Sequence, residues 1–292
     1  MNYYKEILFI IAIITLIGCQ KELEAERASF ISIEDFKYST NDAETIPFSG
    51  NYESIKISDC WVTLNGSFLG AFEMPSQIPV LFDGEVNARI SPGIKVNGVD
   101  ANRIIYPFYK IYEISTELNF EENTAIYPVT EYKEDVDLDN LLGGSFELGN
   151  ILTATEYSDT ISSYADPIIQ SDQVFQGQKS CAIYLDNETP HFQIQNIEEI
   201  IFENQFETIF LELDFKSSVP FSMGIITNED LVGRDQHMVI FTSNEWKKLY
   251  LDISPLIGTG NPFSTYNIYF EGTLPENMDS GYVLLDNIKI VH

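Results

Sequence analysis

The sequence predicts an all-β protein built from two β-sandwich domains. Its 292 residues are enough for two hydrophobic cores of ordinary size. Its apolar residues recur with a period of two in short runs that are rich in β-branched and aromatic side chains, a pattern typical of strands. Glycine and proline pairs separate these runs, and no segment combines a long helical period with helix caps.

The chain begins with a basic and apolar leader. Lys5 precedes an apolar run over residues 7–17, which is too short to cross a bilayer as a stable helix but fits the apolar region of a secretion signal. The run ends in Leu16-Ile17-Gly18-Cys19, which resembles a bacterial lipobox. The resemblance implies a signal peptide over residues 1–18, lipidation of the Cys19 thiol after cleavage, and a tether over residues 19–28. The alternative is an uncleaved apolar terminus that carries a cysteine by chance.

The same leader predicts where the protein is found. A lipidated Cys19 implies a protein anchored to the outer membrane, on its periplasmic or cell-surface side, with the membrane as a partner through the lipid. Lys21-Glu22 resembles the acidic export signals of surface lipoproteins of Bacteroidota, which favours the outer leaflet.

The net charge is strongly negative. The chain has 45 acidic and 16 basic residues, a formal charge of −29. Such a charge repels nucleic acid and anionic lipid headgroups, so we expect no nucleic-acid partner. It suits solubility, divalent cations, or a neutral or basic partner, and a solvated acidic exterior is the simpler interpretation.

Residues 29–133 predict the first sandwich. Strand-like runs include Phe30–Phe36 and Cys60–Leu64, and Asn65-Gly66 predicts a hairpin because a type I′ turn needs positive φ at both central residues. Trp61–Glu73 and Ser91–Gly98 resemble the small immunoglobulin-like or PEGA-like sandwiches of envelope proteins, including uncharacterised lipoproteins of Bacteroidota. That resemblance implies a fold and a location rather than an activity.

Residues 134–139 predict a linker between the domains. Acidic residues alternate over Lys133–Asn140, as they do in a calcium loop. The glycine and the distal bidentate glutamate of an EF-hand are missing, so we interpret the segment as an ordinary acidic linker.

Residues 140–292 predict the second sandwich. Asn140–Gly149 resembles the opening of jelly-roll carbohydrate-binding modules, which have a galactose-binding-like fold, and Gly281–Ile290 resembles their final strand. Gly177–Tyr184 and Trp246–Ile253 resemble their second strand and their penultimate, tryptophan-containing strand. The resemblance covers nearly all of this domain and implies that the domain is a jelly roll.

The same resemblance implies a structural calcium ion (Ca2+). In the resembled modules, a glutamate near the start of the domain and an aspartate in the last strand meet at Ca2+ beside main-chain carbonyls. The matching positions are Glu147 and Asp286, with a carbonyl near Lys179 as a third ligand. Calcium prefers hard oxygen ligands, and two carboxylates brought together without a cation would repel each other. The alternative is two surface carboxylates that never meet.

The strand periodicity of the second domain also predicts a ligand face. In each run one set of alternate residues is apolar and faces the core, while the opposite set mixes aromatic rings with acids and amides. Sugars bind through flat apolar surfaces and hydrogen-bonding groups, so this mixture favours glycan binding. A merely solvated face is the alternative, and the sequence does not say which strands share a sheet. The candidate ligand-binding residues are Tyr184, Phe210, Glu212, Tyr250, Asp252 and Tyr269.

No arrangement of residues in the sequence predicts catalysis. Glu212-Leu213-Asp214-Phe215 resembles part of the acidic motif of some retaining glucanases, but the third carboxylate is missing. The three histidines lie far apart, and the sequence has no nucleophile elbow or phosphate-binding loop. We therefore predict a noncatalytic binding module with a polysaccharide partner. The alternative is a structural or assembly component that contacts other envelope proteins.

Overall fold

The computed structural model describes residues 27–39, 54–139, 144–147, 149–159, 173–202, 208–228, 233–258 and 263–292. Within these ranges the chain forms twenty strands and one four-residue helix, which confirms the all-β prediction. No helix among the described residues has the length and apolar character needed to cross a membrane. Cys19 lies outside the described residues, so lipidation stays a prediction.

The first sandwich contains ten strands. They are β1 (Ser29–Ile33), β2 (Lys37–Tyr38), β3 (Asp59–Leu64), β4 (Ser67–Glu73), β5 (Ser76–Val80), β6 (Gly84–Lys95), β7 (Arg103–Ile105), β8 (Tyr112–Leu118), β9 (Asn123–Ile126) and β10 (Val129–Thr130). Sheet I has the order β5-β1-β9, and sheet II has the order β4-β3-β6, with both β7 and β8 paired to β6. β10 and β2 form a short parallel ribbon.

Alternate residues of sheets I and II meet in the first core. Ile31 and Ile33 of sheet I pack in one buried cluster with Val62 and Ile90 of sheet II. The predicted hairpin is present, because Asn65-Gly66 joins β3 to β4 with positive φ at both residues. The sandwich therefore follows from the period-two pattern of its strands and from its turn residues.

The second sandwich contains the remaining elements. They are β11 (Leu138–Asp139), β12 (Leu152–Ala154), β13 (Cys181–Asp186), β14 (His191–Asn196), β15 (Phe210–Ser217), β16 (Phe221–Asn228), β17 (Gly233–Ile240), β18 (Ser243–Asp252), α1 (Ser254–Ile257), β19 (Thr265–Thr273) and β20 (Ser280–Val291). Because β11 pairs with the end of β20, the predicted linker contains a strand of this sandwich.

These strands form two five-stranded antiparallel sheets, the jelly-roll arrangement that the sequence predicted. Sheet III has the order β11-β20-β15-β18, with β13 also paired to β20, and sheet IV has the order β12-β14-β19-β16-β17. Apolar residues from the facing sides of both sheets form one core, which includes Ile183, Leu211, Leu251, Ile194, Ile225 and Phe270.

A third apolar cluster joins the two sandwiches. Its members are Ile94, Val96, Tyr106, Phe108, Tyr109, Tyr132, Phe210, Tyr250 and Val291. Beside this cluster, the backbone N–H of Asn97 donates to the carbonyl of Tyr250 at 2.8 Å, and Val96 forms a parallel bridge to the same residue. The first sandwich therefore covers part of the outer face of sheet III and the edge of β18.

Candidate functional site

The outer face of sheet IV is the candidate ligand-binding surface. In its strands alternate residues enter the core, as Phe192 and Ile194 do in β14 and Phe270 does in β19. The residues between them face outward, because successive side chains of a strand point to opposite sides. This outward set includes Gln193, Gln195, Ser222, Gly224, Ile226, Arg234, Gln236, Asn267, Tyr269 and Glu271.

Tyr269 supplies the aromatic ring of this set, and Gly224 makes room for it. The two residues are paired across β19 and β16. A Cβ atom on residue 224 would lie 2.6 Å from both Cε1 and Cζ of the ring, which is closer than such atoms approach. The missing side chain of Gly224 thus lets the Tyr269 ring lie against the backbone of β16.

Arg234 is the centre of a set of polar contacts on this face. Its guanidinium carbon lies 4.1 Å from the centre of the Tyr157 ring, a cation–π geometry. Its Nη1 donates to Oε1 of Gln193 at 2.8 Å, and the hydroxyl of Thr155 donates to the same oxygen at 2.9 Å. Arg234 and Gln193 are therefore both held in defined positions.

Glu271 follows Tyr269 on the same side of β19, and His191 contacts Glu271. Nε2 of His191 lies 3.4 Å from Oε1 of Glu271, and Nδ1 of His191 lies 2.9 Å from the hydroxyl oxygen of Thr273. Burial raises the pKa of Tyr269, the Glu271 carboxylate raises it further, and Arg234 opposes both effects. The Tyr269 hydroxyl therefore stays protonated at neutral pH. The face combines an aromatic ring, hydrogen-bond donors and hydrogen-bond acceptors.

A second polar cluster, the interface network, is buried between the sandwiches. Oε1 of Glu212 accepts hydrogen bonds from the hydroxyls of Tyr106 and Tyr132, each at 2.7 Å. Oε2 of Glu212 lies 2.9 Å from Nζ of Lys248 and 3.5 Å from Nζ of Lys289. The tyrosines belong to the first sandwich and the lysines to the second, so one carboxylate of β15 links the two.

Glu212 is ionised in this network. Burial on its own would raise the pKa of the carboxyl, but Lys289, Lys248 and the two hydroxyls outweigh burial and lower the pKa to about 2. Burial lowers the pKa of Lys289 to about 8, with Glu212 opposing. Opposite charges in contact and two donated hydrogen bonds are what a buried carboxylate needs to be tolerated in a protein interior.

The structure separates the six predicted ligand-binding residues. Tyr269 lies on sheet IV, whereas the other five lie on sheet III. Phe210, Glu212 and Tyr250 have exposed fractions of only 1%, 0% and 2%, because the first sandwich covers them. This corrects the interpretation of these three residues as part of an open ligand face. They belong to the contact between the domains.

The other two predicted residues lie apart from Tyr269. Tyr184 of β13 is 43% exposed and is paired with Tyr282 of β20. Oδ1 of Asp252 accepts from the backbone N–H of Ser254 at 3.1 Å, and the N–H of Asp252 donates to Oδ1 of Asn97 at 3.0 Å. Asp252 thus holds the turn before α1 and the contact with the first sandwich.

The sequence analysis missed Gln193, Arg234 and Tyr157. Gln193 sits in an alternating run that ends in Gln195-Asn196, a pattern that could have placed its amide on an outer face. No comparable signal exists for Arg234 and Tyr157. Their contact depends on the position of β17 and of the turn after β12 in the folded sheet.

The predicted calcium ligands hold one loop through hydrogen bonds. Oε1 of Glu147 accepts from the backbone N–H groups of Gln178 and Lys179 at 2.6 and 3.0 Å. Oδ2 of Asp286 accepts from the N–H of Gln176 at 3.2 Å. Burial raises the pKa of Asp286 to about 8, and the nearby Asp214 adds to this effect.

The fit of this set to calcium is incomplete. Lys179 contacts Glu147 through its backbone N–H, and a hydrogen-bond donor cannot bind a cation. Among the described residues, no group of three or more histidines, cysteines and acids is placed to hold a metal ion. Two buried oxygens near Asp286 have no hydrogen-bond partner among the described residues. They are Oδ1 of Asp214 and Oδ1 of Asn287. Calcium binding stays a prediction.

The comparisons with known proteins give distant structural similarities. No family model and no curated protein matches the chain. One similar structure is TmCBM61 in complex with β-1,4-galactotriose, at 12% identity and a TM-score of 0.34, covering 51% of this chain and 94% of that chain. Another is the family 11 carbohydrate-binding module of the Clostridium thermocellum cellulase Lic26A-Cel5E, at 16% identity and a TM-score of 0.35, covering 50% and 90%. The strand pairing of sheets III and IV, rather than these similarities, establishes the fold.

Proposed function

We propose that this protein is a noncatalytic, lipid-anchored envelope protein that binds glycan through the outer face of sheet IV. The observation that carries the proposal is the setting of Tyr269, an aromatic ring fixed against Gly224, paired across the sheet with Gln195 and close to Glu271. An aromatic surface takes up the C–H side of a sugar ring, while amides and charged groups bond its hydroxyls. The side chains at this face supply both kinds of contact.

The test compares single variants on a panel of neutral and acidic polysaccharides, using the soluble form that starts after Cys19. We expect Tyr269→Ala to lose most of its retention, since stacking and the hydroxyl are removed together. Tyr184→Ala is the matched control, because Tyr184 is an exposed tyrosine on the other sheet. If Tyr184→Ala alone lost retention, the ligand-binding site would lie on sheet III. If no polysaccharide retained the parent protein, the proposal would be contradicted.

The anchor and the calcium ion complete the proposal. Cys19→Ala is expected to release the protein from membranes into the soluble fraction, because one lipidated cysteine supplies the acyl chains that hold it.

Bound Ca2+ at Asp286 would stabilise the fold, so EDTA is expected to lower the Tm. An unchanged Tm in EDTA would remove calcium from the proposal and leave glycan binding in place.

A second candidate function is contact with another envelope protein. Phe68 and Leu69 of the edge strand β4 have exposed side chains, and the Phe68 ring stacks on Trp61 with centroids 5.9 Å apart. Exposed apolar residues on an edge strand are typical of surfaces that meet another protein. Co-purification of an envelope protein that Phe68→Ser abolishes, together with no glycan retention, would favour this function.

A further inference from the structure

The contact between Arg234 and Gln193 crosses the candidate ligand-binding face. Gln193 is on β14 and Arg234 is on β17, and β19 and β16 lie between them. Three strand spacings separate the two residues, roughly 14 Å across the sheet. Their side chains nevertheless form a 2.8 Å hydrogen bond. Because both residues face outward, the two side chains meet above the intervening strands.

The register of the sheet shows what lies beneath this contact. Gln193 is level with Glu271 of β19, and Glu271 is level with Ser222 of β16. At the other end, Arg234 is level with Ile226, which is level with Asn267 of β19. The line from Arg234 to Gln193 therefore passes over the residues midway between these positions, which are Gly224 and Tyr269.

The burial of the outward residues agrees with this path. Tyr269 is 4% exposed, Ile226 and Gln193 are each 3% exposed, and Asn267 is also buried, although all four point away from the core. Outward residues of a bare sheet face are solvated, so something covers these four. Arg234 reaches across this surface to Gln193 and lies close enough to Tyr269 to oppose the burial that raises the pKa of the Tyr269 hydroxyl, and its stacking on Tyr157 holds it there.

From these observations we propose that Arg234, Gln193 and Tyr157 form a strap that closes the face over Tyr269, so that a ligand reaches the ring only after the strap opens. The proposal rests on the proposed function, because it concerns access to the same face. Breaking a charged hydrogen bond and a cation–π contact opposes binding, so the strap lowers the affinity of the closed protein for an uncharged glycan.

The test uses the full chain and two independent readouts. The first is nitration of Tyr269 by tetranitromethane, measured by mass spectrometry of the peptide that contains it. Arg234→Ala is expected to raise nitration of Tyr269 severalfold, because the ring becomes accessible. The control is Arg89→Ala, which removes a surface arginine that pairs with Glu113 at 2.7 Å in the other sandwich. The control is expected to leave nitration of Tyr269 unchanged.

The second readout is retention on the neutral polysaccharide that binds the parent protein. Arg234→Ala is expected to bind it about tenfold more tightly, because the ligand no longer breaks the contact with Gln193. Tyr157→Leu keeps the arginine, removes its stacking partner, and is expected to change both readouts in the same direction. It serves as the second variant if Arg234→Ala fails to fold, as judged by circular dichroism.

The outcomes separate the strap from the proposed function. Unchanged nitration of Tyr269 in both variants would overturn the strap. Raised nitration with weaker retention would also overturn it, because Arg234 would then be a ligand contact. Raised nitration, with neither the parent protein nor the variants retained by any polysaccharide, would support the strap and contradict the proposed glycan binding.

Discussion

At the scale of single residues, Glu212 has the largest predicted effect on stability. Glu212→Gln would remove the charge of the carboxylate that contacts the buried Lys248 and Lys289. Breaking one side of a buried ion pair costs about 3–5 kcal/mol, so we expect a loss of that order in the free energy of unfolding. The measurement is urea denaturation followed by fluorescence.

The matched control for this substitution is Glu113→Gln. Glu113 pairs with Arg89 at 2.7 Å, but both side chains are more than half exposed. Exposed pairs contribute roughly 1 kcal/mol or less, so the control should barely move the denaturation midpoint. Equal losses of unfolding free energy in the two variants would show that burial does not determine how much the interface network contributes to stability.

The pKa of Glu212 predicts a pH dependence. Because this pKa falls from its ordinary value of 4.5 to about 2 in the folded protein, the unfolded chain binds more protons between these values. The stability from Glu212 is therefore fully present above about pH 4.5 and is lost as the pH falls through about 2. The difference in unfolding free energy between the parent protein and Glu212→Gln should shrink over that window. A constant difference from pH 6 to 2 would contradict this.

The sequence predicted which side chains of the second domain enter the core but not how the sheets are covered. The alternation that includes Leu211 and Leu251 correctly placed these residues inward. The same alternation placed Glu212 and Tyr250 on the outer face of the sheet. There they contact the first sandwich rather than solvent. A period of two distinguishes two faces of a strand and holds no information about what packs on either face.

At the scale of the strand, β16 depends on a glycine that accommodates a ring from β19. We expect Gly224→Ala to destabilise the protein by about 1–3 kcal/mol, because the new Cβ would collide with the Tyr269 ring and the carbonyl of Asp235. Thermal melting measures the effect. Gly233→Ala, in the neighbouring β17, is the control, since its nearest atom is Cβ of Thr227 at 3.9 Å. A similar loss in both variants would argue against the close contact.

Element prediction succeeded where turns and alternation coincide and failed where pairing is non-local. Asn65-Gly66 predicted the β3–β4 hairpin because the turn residues impose positive φ. The two-residue strand β11 lies within the predicted linker and exists because Leu138 pairs with Val291, far along the chain. Likewise, the resemblance to calcium-binding modules named Glu147 and Asp286, and in the structure both carboxylates accept backbone hydrogen bonds from the loop at residues 176–179, which does not establish a cation.

At the scale of the whole molecule, the interface couples the two sandwiches. Tyr109 and Tyr250 share a hydrogen bond of 3.1 Å between their hydroxyls, and the backbone N–H of Lys56 donates to the Tyr250 hydroxyl at 2.9 Å. Separation of the domains would exchange these hydrogen bonds and the network around Glu212 for bonds to water, and it would also expose the apolar residues of the third cluster. Separation therefore carries a large free-energy cost.

This coupling predicts that the sandwiches unfold together. The two tryptophans of the chain provide one reporter for each domain, Trp61 in β3 and Trp246 in β18. Trp246→Phe leaves a signal from the first sandwich, and Trp61→Phe leaves a signal from the second. We expect the two variants to give coincident urea transitions, and we expect Glu212→Gln to shift both reporters equally even though Glu212 lies in the second sandwich. A shift confined to the Trp246 signal would mean that the domains unfold independently and that the buried network stabilises only its own sandwich.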